Sequence, residues 1–139
     1  MIATIDFSAQ FGGREAATAL LPHFKALKAV AKDLSIEEFP FKKMAFILRV
    51  DGEVNSYNLS GPGNLDFDGD NYVSVDLGIT QDEYQSCAID LIESIIRSLR
   101  LSVELLKQSS DIRLEGIDFR VLEGIVDQLI NSYEIAATE

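Results

Sequence analysis

Residues 44–60, MAFILRVDGEVNSYNLS, constrain the fold more than any other part of this sequence. Apolar and polar residues alternate around Asp51-Gly52, a pair able to supply the positive φ angles of a two-residue hairpin turn. With that turn Phe46 faces Tyr57 and Met44 faces Leu59, so the apolar sides of the two arms agree. The spacing predicts an antiparallel hairpin, followed by a second turn at SGPGN. A further hairpin is expected in LDFDGDNYVSVD, residues 65–76. A three-residue loop, Asp68-Gly69-Asp70, would pair Phe67 with Asn71 and Asp66 with Tyr72. That register keeps Leu65, Phe67, Val73, Val75 and Leu77 on one side.

The rest of the chain supplies one more strand and the helices. MIATIDF alternates as a first strand does. Leu20, Phe24, Leu27, Val30 and Leu34 recur at helical spacing, with Pro22 either opening that helix or kinking it. Thr80 and Glu83 form a capping-box pattern ahead of one long amphipathic helix over 81–108, with Tyr84, Ala88, Leu91, Ile95 and Leu99 as its apolar stripe. Cys87 lies on that apolar side and reads as a small core residue. DIRLEG is open between strand and turn. Phe119, Leu122, Val126, Leu129 and Tyr133 mark a last helix, weakened at Gly124. The expected fold is α+β: an antiparallel meander sheet of about five strands, with about three helices packed on one face, in a single domain over 1–139.

A hydrophobic content of 47% in 139 residues is enough for a real core. The single cysteine excludes an internal disulfide and favours a reducing compartment. The opening MIATIDFSAQF lacks the basic and apolar regions of a secretory signal. No run approaches the roughly 18 apolar residues of a membrane helix. A cytoplasmic protein that does not enter membranes is expected.

Net charge is −11, and its distribution is uneven. Residues 51–96 carry ten acids and no lysine or arginine. Such a surface repels nucleic acid and anionic membranes and attracts basic proteins over about 10 Å at 0.1 M salt. In a meander, the turns at Asp51-Gly52 and Asp68-Gly69-Asp70 would share one end of the sheet. Asp51, Glu53, Asp66, Asp68 and Asp70 would then gather there as a partner-binding cluster. The plainer explanation is that aspartate and glycine suit tight turns and charges blunt sheet edges.

Other chemistry finds little footing. A calcium loop counted from Asp66 has aspartates at its first, third and fifth positions. Its sixth position is Asn71 where glycine is needed, and its twelfth is Leu77 where a bidentate glutamate belongs. No metal site and no cofactor are expected. His23, the only histidine, has no spacing that implies an orienting carboxylate or a nucleophile, and reads as a boundary residue of the first helix. Asp82 and Glu83 are accounted for by the positive end of their helix. No catalytic residue is assigned, and the protein is not expected to be an enzyme.

In the acidic segments VDGEV and LDFDGDN, and in its size, acid excess and α+β plan, the chain resembles the small immunity proteins that bacteria co-produce with contact-dependent inhibition and other polymorphic toxins. The resemblance implies a cytoplasmic single domain that binds a basic, nuclease-like toxin domain and occludes its active site. A nuclease site is basic because it holds phosphates, and an acidic protein complements it. The alternative is a small acidic structural or regulatory subunit whose interface is the exposed face of the 81–108 helix. A third reading is a metal-dependent hydrolase built on the aspartates.

Overall fold

An alternation of buried and exposed residues makes ATIDFSAQ the strand β1 (Ala3–Gln10), with Ala3, Ile5 and Phe7 turned into the core. The computed structural model describes residues 2–50, 57–60 and 72–138. After β1 the chain reverses at Gly12, whose φ of +76° lies in the left-handed region that glycine enters without strain. It continues as helix α1 (Arg14–Ala31), which buries Leu20 and Leu27. Pro22 lies inside α1, well beyond its first turn. Two residues then form β2 (Ser35–Ile36), paired antiparallel to β1. The remaining strands are β3 (Lys43–Val50), β4 (Tyr57–Ser60) and β5 (Tyr72–Ile79).

The sheet order is β2-β1-β3-β5-β4, and the expected meander is overturned. β3 runs parallel to β1 on one side and parallel to β5 on the other. Both of its edges are therefore occupied, and no hairpin joins β3 to β4. β4 instead pairs antiparallel with β5, Tyr57 opposite Val75 and Ser60 opposite Tyr72. Tyr72, expected opposite Asp66, thus lies between Ser60 and Lys43. With β2 contributing only two residues, four strands carry an open mixed sheet.

The cause is visible in β3 itself. Its outward positions include Ala45 and Ile47, so KMAFILRV is apolar on both faces for most of its length. Near-continuous apolar runs belong to central parallel strands, whereas a half-solvated hairpin arm alternates strictly. Helix α1 is the crossover that two parallel neighbours require.

One face of the sheet, with Phe7, Met44, Phe46, Leu48, Val75 and Leu77, joins the helices in a single buried cluster. The helices on it are α1, α2 (Gln81–Tyr84), α3 (Ala88–Gln108) and α4 (Phe119–Thr138). The expected continuous helix over 81–108 is in fact two. Thr80 and Glu83 do form a capping box, Glu83 N–H donating to Thr80 Oγ1 at 3.2 Å. Helix α2 ends at Tyr84, and the Ser86 N–H then donates to the Glu83 carbonyl at 3.3 Å, out of the α-helical register. Cys87 becomes the extended residue ahead of α3 and is exposed, not a core residue. DIRLEG forms a 3-10 turn over Ile112–Leu114 rather than a strand.

α4 buries Leu122, Val126, Leu129 and Tyr133, the expected stripe. It passes through Gly124, where an added methyl group meets nothing within 4 Å. Gly124→Ala should therefore raise unfolding stability by about 0.5–1 kcal/mol through lost unfolded-state freedom. A higher urea midpoint with unchanged slope is the expected result.

Candidate functional site

The five acidic residues expected to form a partner-binding cluster, Asp51, Glu53, Asp66, Asp68 and Asp70, lie outside the described residues. The strands that flank them bear on the premise for clustering. Val50 is opposite Ile79 at one end of the parallel pair, and Tyr72 is opposite Lys43 at the other. Val50 and Tyr72, the described residues nearest in sequence to Asp51 and Asp70, therefore lie at opposite ends of this strand pair. A strand pair of this length spans about 23 Å.

On the sheet face away from the helix-packed core, charged side chains flank the apolar Ala45 and Ile47. Lys43 pairs with Asp6 at 3.5 Å, and Arg49 Nε reaches the buried Asp76 carboxylate at 3.2 Å. Both are ion pairs between neighbouring strands and hold register by charge. Among the described residues no group of three His, Cys, Asp or Glu side chains could hold a metal ion.

His23 sits at the boundary between α1 and α4, half-buried, as its sequence position suggested. Its Nδ1 lies 2.8 Å from the phenol oxygen of Tyr133, which is fully buried. Burial pushes the Tyr133 phenol well above its ordinary value, so it keeps its proton and donates to Nδ1. Burial also lowers the His23 pKa, favouring the neutral ring that accepts this bond. The unfolded chain therefore takes up the histidine proton first, near pH 6.5. This contribution to stability is complete above about pH 6.5 and declines as pH falls below it. Comparing urea midpoints of wild type and His23→Gln from pH 7.5 to 5 should show the steeper loss in the wild type. Parallel curves would show that His23 does not contribute to the pH dependence.

A concavity lies on the helical layer. α3 and α4 enclose a groove of about 780 Å³. Its floor is apolar, made by Ile92, Ile96, Val103 and Val126, and Ile89 and Leu101 stand on its rim at 67% and 46% exposure. Toward the C-terminal end of α3 the helices are clasped by two ion pairs. Arg100 meets Asp127 at 3.2 Å, and Lys107 meets Glu123 at 2.6 Å. The hydrogen bond that Lys107 donates to Glu123, ahead of the pull of Glu104, raises the Lys107 pKa. Arg97 reaches Glu83 at 3.6 Å. Burial tends to raise the Glu83 pKa, but hydrogen bonds from Thr80 and Ser94, with the Arg97 charge, bring it below the ordinary carboxylate value. Glu93 and Glu134, also lining the groove, form no ion pair among the described residues.

No protein-family model, curated protein or solved structure matches this chain.

The groove was only partly legible. The α3 face was foreseen as a possible interface, but α4 as its second wall was not. Glu123, Asp127 and Glu134 recur on α4 at spacings of four and seven, one helical face. That acidic line was the available signal. The His23–Tyr133 bond had none, because it joins residues far apart in sequence. Among the described residues no helix is long and apolar enough to cross a membrane.

Proposed function

We propose that the protein acts by binding another protein, with the α3/α4 face as its contact surface. The observation that carries this reading is the groove: an apolar floor with exposed apolar rims, bounded by more acids than bases. Exposed apolar surface rimmed by charge is characteristic of protein contact. The acid excess of the whole chain, with residues 51–96 free of any base, selects for a basic partner.

The immunity role is the specific form of this proposal. The partner is then a basic, nuclease-like toxin domain, and the mechanism is occlusion of its phosphate-binding site by an acidic surface. Small size, acid excess and the α+β plan support it. A second reading, a structural or regulatory subunit of a larger assembly, is favoured by the placement of the groove on the helices. Both readings make the chain a binding protein with no chemistry of its own.

Isolation from the native host at low salt, followed by mass spectrometry and a nuclease assay on the recovered complex, separates them. A stoichiometric basic nuclease, inactive while bound and active once released at high salt, is expected. A basic nuclease that stays active in the complex overturns occlusion. An assembly component in its place assigns the subunit role, and the absence of any stoichiometric partner overturns the binding reading.

A further inference from the structure

We propose that the α3/α4 groove receives an amphipathic helix of the partner, apolar along a heptad-spaced stripe and carrying lysine or arginine on its flanks. This inference rests on the protein-binding reading and names the chemistry of its occupant.

The spacing of the groove residues points to a helix. Ile89, Ile96 and Val103 follow one another at intervals of seven along α3. Seven residues are close to two helical turns, so the three side chains form one line that runs from the exposed Ile89 through the half-buried Ile96 to Val103, which with Ile92 and Val126 is buried in the floor. A line of this period is the geometry into which a neighbouring helix sets its own apolar side chains. From Ile89 to Val103 the rise is about 21 Å, room for roughly four turns of guest helix.

The charges select the flanks of that guest. Arg97, Arg100 and Lys107 are each held by an acid of this chain. Their positive charge is answered before a partner arrives. Glu93 and Glu134, which line the groove with Ile89 and Ile96, have no such counter-ion among the described residues. An incoming helix therefore meets net negative charge beside exposed apolar surface. Lysine or arginine next to its apolar stripe satisfies both, whereas a second copy of this chain would bring a further charge of −11 to the contact.

The test is selection of a displayed library of helices, roughly 14 residues long, on the purified full chain. Each helix carries leucine or isoleucine at heptad core positions and randomised flanks. Enrichment of lysine and arginine on the flanks is expected. The best binder, resynthesised, should lose about 30-fold in affinity on Ile96→Glu or on Ile89→Glu. Ile89 is well exposed, so its variant keeps the fold even if the deeper one does not. Glu93→Gln combined with Glu134→Gln should weaken binding roughly fivefold, and less at high salt.

Acidic flanks in the selected helices, or binders indifferent to both isoleucine variants, would overturn the inference. So would self-association of the free chain that Ile89→Glu abolishes, which assigns the groove to a second copy. The same variants separate this inference from the reading beneath it. A native partner that still binds both isoleucine variants removes the groove as its site and leaves protein binding standing. If no native partner exists, both fail.

Discussion

Replacing Phe46 by alanine should lower the unfolding free energy by about 3–5 kcal/mol. Phe46 is fully buried in β3, with β1 and β5 hydrogen-bonded on either side. Its ring stacks on that of Phe7 with centroids 5.2 Å apart. Alanine therefore removes apolar contact to the helices and an aromatic pair at once, and the two flanking strands prevent the sheet from closing the cavity. Against a typical total of 5–15 kcal/mol, the variant should be partly unfolded near 40 °C. Urea unfolding followed by far-UV circular dichroism reads this directly. Phe46→Leu, which keeps most of the volume, should lose under about 1.5 kcal/mol. A small effect of the alanine variant would mean that β3 is not the central strand.

The second large effect belongs to the helical layer. Tyr133→Ala should lose about 3–5 kcal/mol, because a fully buried ring is deleted from the seam between α4 and α1. Tyr133→Phe isolates the hydroxyl. It keeps the ring and leaves the half-buried His23 Nδ1 without its donor, at roughly 1 kcal/mol. His23→Gln combined with Tyr133→Phe should then lose less than the two single losses added together, since both remove one bond. Strict additivity in that cycle would show that the bond contributes nothing to stability.

The fold was readable wherever a single element decided it. The stripes of α1 and α4, the capping box at Thr80 and the alternation of β1 are local patterns that appear as expected, and of the third stripe Leu91, Ile95 and Leu99 are buried on α3 while Ala88 is exposed. Pairing was not readable in the same way. Asp51-Gly52 carries a strong local turn signal, but β3 is apolar on both faces and is better satisfied between two strands than beside β4. The double-sided apolar pattern was the more informative of two competing signals. The break between Tyr84 and Ala88 leaves no mark in the apolar periodicity, which runs on across it. The groove leaves none either, since its two walls become neighbours only when α4 folds back along α3.

The parallel order of β1, β3 and β5 also governs when the chain can fold. Thr4 pairs with Lys43, and Lys43 in turn with Tyr72, so each central ladder closes a loop of roughly 30–40 residues. High contact order of this kind slows folding. During synthesis β1 emerges without its partner, and β3 then emerges with one edge bare until β5 follows. KMAFILRV is an apolar β-forming segment with its charges only at the ends, and unpaired edges of that kind recruit other chains. Truncation before β5 should therefore leave an aggregating fragment rather than a smaller stable fold.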